Sequence, residues 1–350
     1  MIEIDGSYKE GGGQIVRTAL ALSTLLQKPC KITNIRKGRK NPGLKSQHLN
    51  CVKALRQLCN AKVAGSRLGS EELMYVPKKI NAYKITIDIE TAGSITLLLQ
   101  SLLLPCLFSE KKKKIEIMGG TDVKWSPQID YFKEVILPNF YKFAESIELN
   151  IEKRGYYPKG NGKVILKISP KYNLDNLEEF LKIDLSEQGN LVQIKGISHA
   201  CFDLQKSEVA ERQSKGAKSI LHNFKVPVKI ENHYFETDSL GSGITLWAVF
   251  SKDDGYSDPI KLGSDELGEK GVKAEEVGKK AANQLLEEIN SKAAVDRHLA
   301  DNLIPLLGLI KNGEMKTSEI TDHSLSNIYV VEKFLGKKFF VEDKIIKKLV

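Results

Sequence analysis

Glu10 is followed by three glycines, and Gln14 and Arg17 then fall one turn apart at the start of a helix-like run. Bare glycine amides at a helix start offer N–H donors to a phosphate, a neighbouring carboxylate suits a divalent ion, and a guanidinium takes phosphate oxygens in pairs. A glycine triplet serves equally well in an ordinary tight turn, so spacing alone leaves both readings open. The run Arg36-Lys37-Gly38-Arg39-Lys40-Asn41-Pro42-Gly43 gathers four cations in a loop stiffened by proline. Arginine held in such a loop can fork onto phosphate where a flexible lysine does so less well, and the alternative is a solvated turn.

Six histidines offer ring nitrogens. His199, His222 and His233 lack organised acidic or glycine neighbours and read as satisfied or exposed rings. His48 follows the basic loop and could touch the same ligand. His298 shares a helical face with Asp301 and Asn302. His323 opens a predicted helix after Thr321-Asp322, where the helix dipole would depress its pKa and leave a neutral nitrogen nucleophile.

Other chemistries are missing from the sequence. It contains no Gly-x-x-x-x-Gly-Lys-Ser/Thr, no His-Glu-x-x-His, no zinc-like Cys/His spacing and no Gly-x-Ser-x-Gly elbow. The five cysteines form no Cys-x-x-Cys pair and read as buried thiols. No stretch reaches the roughly 20 apolar residues of a membrane span; Ile95 to Phe108 comes nearest and is broken by Gln100 and Pro105. The start Met1-Ile2-Glu3-Ile4 is strand-like and unlike a signal peptide, so a cytoplasmic location is expected.

Charge narrows the field further. The chain carries +9 overall, yet residues 11–70 hold twelve Lys and Arg and no Asp or Glu, so the remainder sums to 9 − 12 = −3. A local excess of this kind marks a surface built for a polyanion.

These groups must be positioned by an α/β (α+β) fold, because period-2 apolar runs alternate with 3.6-period runs. The pattern reads strand 2–4, helix 15–26, strand 31–35, helix 47–58 and strands near 73–76 and 83–89. A second cycle has helix 95–108, strand 115–118, helix 129–143 and two strands to about 168. The C-terminal part adds helices 295–309 and 324–335. Between them, 184–292 has its own strands (191–197, 226–230, 244–250) and helices (208–221, 274–289). In helix 274–289, Glu275–Lys279 and Glu276–Lys280 are spaced as i,i+4 ion pairs. The expected organisation is a large repeat domain, 1–183 with 293–350, and a smaller inserted α/β domain, 184–292.

Asp5-Gly6-Ser7, Glu10 through Leu20, Ile35-Arg36 to Arg39, Asn41-Pro42-Gly43-Leu44, Gln47-His48-Leu49, Gly119-Gly120-Thr121-Asp122, Leu299-Ala300-Asp301-Asn302 and His323 to Glu332 occur in that order. Together they resemble RNA 3'-terminal phosphate cyclase, over nearly the whole chain. The resemblance implies repeated units, each of a four-stranded sheet and two helices, with a smaller inserted domain. It implies an ATP-dependent ligase that adenylylates a histidine and passes AMP to an RNA 3'-phosphate; the 2'-hydroxyl then closes a 2',3'-cyclic phosphodiester.

Carried over by residue, the resemblance makes His323 the nucleophile. Gln100 and His298, Leu299, Ala300, Asp301 and Asn302 become ATP-contacting positions, with Asp301 a polar anchor and His298 a stacking platform for adenine. Glu10 becomes the carboxylate for a magnesium or manganese ion. Gln14, Arg17, Arg36, Arg39 and Gln47 fall near the RNA phosphates. Lys9 departs from the usual glycine, and Ser326 stands where threonine is commoner. The implied partner is RNA ending in a 3'-phosphate, with no membrane and room for a dimer. Two other classes fit parts of the pattern: a non-catalytic RNA-binding assembly protein on the same scaffold, set apart by loss of the nucleophile, and an enolpyruvyl transferase, set apart by forming no covalent nucleotide.

Overall fold

In the computed structural model, which describes residues 1–174, 182–253 and 258–349, one wiring pattern occurs three times. The first unit runs β1 (Ile2–Asp5), α1 (Gly13–Leu26), β2 (Cys30–Thr33), α2 (Ser46–Cys59), β3 (Lys62–Ala64) and β4 (Leu73–Val76), with sheet order β1-β2-β4-β3. The second runs β5 (Lys84–Asp88), α3 (Ile95–Leu107), β6 (Lys113–Gly119), the helical segment α4 that starts at Ile129, β7 (Ala144–Lys153) and β8 (Gly162–Pro170), ordered β5-β6-β8-β7. The third opens with β9 (Lys182–Leu185) and is interrupted.

The interruption carries β10 (Asn190–Cys201), α5 (Val209–Leu221), β11 (Val228–Phe235), β12 (Ser242–Ser251), β13 (Ile260–Leu267) and α6 (Ala274–Asn290), in a sheet ordered β11-β10-β12-β13. The third unit then resumes with α7 (Arg297–Leu309), β14 (Asn312–Lys316), α8 (Asp322–Leu335), β15 (Phe339–Glu342) and β16 (Ile345–Lys348). In every unit the first two strands are parallel, and the last two join as an antiparallel hairpin whose second strand pairs with the second of the unit. The fold is thus α/β with three like units and a smaller α/β insertion.

Helix α3 is apolar on nearly every face because it packs on α1, α2 and its own sheet, and a helix surrounded on all sides has no polar stripe. Helix α1 is buried without a break from Ile15 to Leu25 and touches α2, α3 and α8. Its N-terminus is therefore where the first and third units meet. The predicted helix 129–143 is not one regular helix: a short α turn passes into a π segment (Phe132–Ile136) and then 3-10 (Leu137–Phe143), with Pro138 at the start of the last. The expected i,i+4 pairs on α6 do not form. Glu275 turns to Arg212 of α5 (2.8 Å), Lys280 to Glu266 (3.0 Å), and Lys279 takes Glu276 at i,i+3, because the helix packs on α5 and β13 and its acids find partners there. All five cysteines are buried free thiols, and no helix among the described residues is long and apolar enough to cross a membrane.

Candidate active site

Helix α1 begins at Gly12 with no side-chain cap and no acid in its first turn, so its first amides remain open at the positive end of the dipole. The glycines are required by close packing. A Cβ on Gly12 would sit 2.2 Å from Glu10 Oε1, and one on Gly13 would sit 2.1 Å from His48 Nε2. His48 thus lies beneath the turn, rather than over a ligand as its position after the basic loop suggested. Its Nδ1 accepts the Lys45 N–H (2.9 Å), and burial with Arg17 and Arg36 nearby pushes its pKa down to about 3. The ring is a neutral support for the turn.

His323 arrives at this turn from the start of α8, which Thr321 caps by accepting from the Ser324 N–H (3.0 Å). Its Nδ1 lies 2.8 Å from Glu10 Oε1. The expectation of a depressed pKa fails here: the bond to Glu10 outweighs burial and raises the imidazole, while the same bond lowers Glu10 below the usual carboxylate range. With Nδ1 engaged, Nε2 is the idle nitrogen, and the side chain remains 47% exposed.

A polar lattice fixes the three helices around this pair. Asn327 Oδ1 accepts from Thr18 (2.6 Å) and Gln14 (3.3 Å), and its amide donates to the Asp301 carbonyl (2.7 Å). Asp301 Oδ1 accepts from the hydroxyls of Ser324 (2.7 Å) and Thr321 (3.1 Å), and burial lifts its pKa to about 6. Asp296 caps α7 by accepting from the His298 and Leu299 amides (3.0 and 2.9 Å), and also takes the Tyr131 hydroxyl and the Gly263 N–H. That one carboxylate ties the second unit, the insertion and the third unit together.

Between these elements lies a cavity of about 410 Å³ walled by Arg17, Gln100, Trp125, His298, Asp301 and His323. Arg17 Nε and Gln100 Oε1 are buried there without a partner, an arrangement that a bound polar ligand would satisfy. Trp125, which the sequence reading passed over, is 94% exposed at φ 63° on the cavity wall. A tryptophan inside a polar loop is the signal that could have singled it out.

Not every expected residue faces this space. Leu299 and Ala300 are 1% and 0% exposed and belong to the core. Arg36 turns into its own loop, donating to the carbonyls of Asn41 (2.7 Å) and Gly43 (3.4 Å). Gln47 clasps the Ser94 backbone through both ends of its amide, 2.9 Å each, and so joins α2 to the N-cap of α3. Asn302 does line the cavity, while its amide donates to the His298 carbonyl (2.8 Å). Arg39 does reach the site, where its Nε and Nη2 hold the Glu10 carbonyl and carboxylate at 2.9 Å.

A second cluster, unseen in the sequence, lies where the insertion meets the second unit. Arg154 binds Asp122 (3.0 Å) and Asp130, while Phe235 of β11 covers the guanidinium at 4.8 Å. His199 of β10 is held between Tyr156 Oη (2.7 Å) and Gln128 Oε1 (2.9 Å). Ligand atoms of Asp122, Asp130 and His199 fall within 4.8 Å of one another, as a metal would need, but the Arg154 guanidinium already neutralises both aspartates. The cluster is an ionic clamp.

Comparison with known proteins gives the family. The model of the family "RNA 3'-terminal phosphate cyclase" matches residues 8–341. The chain is 43% identical to an RNA 3'-terminal phosphate cyclase of Pyrococcus abyssi over 347 residues, covering 99% of this chain and 97% of that one. It is 43% identical to the protein of that name in Methanosarcina acetivorans (98% of each) and 45% identical to that of Methanococcoides burtonii (98% and 97%). A family model matching residues 8–341 and this length of shared sequence place the chain in the RNA 3'-terminal phosphate cyclase family.

Proposed function

We propose that this protein uses ATP to convert an RNA 3'-phosphate into a 2',3'-cyclic phosphodiester, with His323 as the covalent carrier of AMP. The observation that carries this reading is the 2.8 Å contact of His323 Nδ1 with Glu10 beside the open amides of α1. Glu10 keeps the proton on Nδ1, which leaves the Nε2 lone pair free and stabilises the positive charge that grows on the ring as Nε2 attacks the α-phosphorus. An N–P bond forms and pyrophosphate leaves. An oxygen of the RNA 3'-phosphate then attacks the same phosphorus, the N–P bond breaks and the ring returns neutral. Finally the adjacent 2'-hydroxyl attacks the 3'-phosphorus, its proton passing to solvent, as the bond to the departing AMP breaks. Proximity supplies much of that last barrier reduction.

Arg17 and the α1 amides would hold phosphate oxygens, and Arg17 Nε with Gln100 Oε1 would gain the partners they lack. Glu10 is the carboxylate that would hold a magnesium or manganese ion, by sharing an oxygen now held by His323 or by the half-exposed Arg39; a site with one carboxylate suits such an ion, which retains waters and shares substrate phosphates. Bound there, the ion would neutralise phosphate charge. Incubation with α-labelled ATP and magnesium should leave acid-labile label on the wild-type protein and none on His323→Ala. Label retained by that variant would move the nucleophile elsewhere.

A further inference from the structure

The twelve cations of residues 11–70 are not all spent at the active site. Six are engaged within the chain: Arg17 on Gln14, Lys28 on the Phe334 carbonyl, Lys31 on Glu72, Arg36 on its own loop, Arg39 on Glu10 and Lys45 on the Pro42 carbonyl. The other six, 12 − 6, are Lys37, Lys40, Lys53, Arg56, Lys62 and Arg67. All are exposed, and among the described residues none has a side-chain hydrogen bond or ion pair; Lys37 alone acts on an acid, Asp5, at longer range. Three of them converge. Lys53 and Arg56 lie on one face of α2, Arg67 faces them from the turn after β3, and the three line a groove of about 1330 Å³.

The groove is built onto the basic loop. Leu44 donates to the Ser70 carbonyl (2.9 Å), Gly69 to the Leu44 carbonyl (2.9 Å) and Ile35 to the Glu71 carbonyl (3.0 Å). The loop bearing Lys37, Arg39 and Lys40 thus shares one hydrogen-bonded frame with the groove wall, and Arg39 at its other side touches Glu10. Of the two acids at the rim, Glu72 is neutralised by Lys31, which leaves Glu71 against three cations.

We propose that this groove binds the phosphate backbone of single-stranded RNA upstream of the 3'-end, on a path from the active site across the basic loop. The inference rests on the proposed cyclase reaction, since that reaction brings an RNA terminus to His323. No aromatic side chain lines the groove, so it offers no stacking platform; recognition is of charge and independent of sequence.

The test uses the full-length variant with Lys53→Gln, Arg56→Gln and Arg67→Gln together, and two RNAs ending in a 3'-phosphate, a trinucleotide and a dodecanucleotide. For the dodecanucleotide, affinity should drop on the order of tenfold or more, and the log–log salt dependence should become shallower by about 2, or roughly 0.7 for each of three lost phosphate contacts. The trinucleotide should bind and cyclise as before, and oligo(U) and oligo(A) should lose equally. An unchanged slope for the dodecanucleotide, equal loss for both lengths, or loss confined to one base composition would each overturn the proposal. Protein labelling by α-labelled ATP without RNA separates the two readings: an unlabelled wild type sinks the cyclase mechanism, while the slope still judges the groove.

Discussion

His323 and His199 each stand among carboxylates with an arginine close by, and they end in opposite states. His323 is half exposed, has one nitrogen on Glu10 and leaves the other idle. His199 is fully buried with both nitrogens taken, by Tyr156 and Gln128, while Arg154 claims the two aspartates beside it. Accordingly Glu10 raises the pKa of His323, whereas burial first and Arg154 second push that of His199 well below its ordinary value. A carboxylate near a histidine does not by itself make a reactive centre. The idle nitrogen does, together with an acid that reaches the ring itself: Glu10 gives one oxygen to Arg39 and the other to His323, whereas neither aspartate of the clamp comes within hydrogen-bond distance of His199.

The sharpest way to break this contrast is to remove the acid from the exposed group. Glu10→Gln should slow protein adenylylation by about 10²–10⁴-fold, the range seen when the carboxylate orienting a catalytic imidazole is lost or a proton-handling group removed. A protonated ring has no lone pair on Nε2, so the wild-type rate should fall as pH drops through a pKa above the ordinary 6.5 of histidine. In the variant that acid limb should move to lower pH. Single-turnover labelling across a pH series reads both effects; a limb that stays put would mean that Glu10 does not set the titration.

The matching change in the buried group acts on folding. Arg154→Met leaves Asp122 and Asp130 buried with no counter-charge, and breaking such a pair costs about 3–5 kcal/mol. Arg39→Met removes a guanidinium whose side chain is 42% exposed, and should cost at most about 1 kcal/mol of stability. Urea denaturation compares the two directly, and equal losses would erase the distinction between clamp and site.

This distinction also divides what the sequence discloses from what it hides. The units were readable because runs of strand and helix period alternate along the chain, α3 excepted, which is apolar all round, and the acid-free window was readable because charge needs no folding to be counted. His323 was one candidate by its place at a helix start, and only the family resemblance singled it out. The direction of its pKa was not readable, because the deciding partner lies 313 residues earlier and arrives only through the packing of α8 on α1. Asp122 lies in a quoted motif and Asp130 on a predicted helix, yet nothing local links either to Arg154 or His199, and only the docking of β10 and β11 on the second unit brings the four together. Strand β13 was likewise missed, as its central Gly263 and polar Ser264 and Asp265 blur the strand signal even though Gly263 is buried against Tyr131. Gln47 seemed free for a phosphate because a clasp on the Ser94 backbone leaves no trace in composition.

The dependence of stability on pH is the most discriminating, because the two histidines should bend the stability curve in opposite directions. His199 stays neutral in the fold but titrates near 6.5 once unfolded, so below that pH the unfolded chain takes up the extra proton. Stability attributable to His199 therefore falls by up to about 1.4 kcal/mol per pH unit as pH drops below 6.5. His48, with its pKa near 3, contributes in the same sense. His323 has the reverse sign: its raised pKa contributes stability that is fully present below 6.5 and is lost as pH rises through the folded value. Urea midpoints measured for wild type, His199→Gln and His323→Gln between pH 5 and 8 resolve the three cases. His199→Gln should flatten the acid side of the curve whatever it costs at neutral pH, and His323→Gln should flatten the side above 6.5. If His199→Gln retains the full acid slope, the buried ring is not the neutral member of the clamp, and the contrast with His323 loses its electrostatic basis.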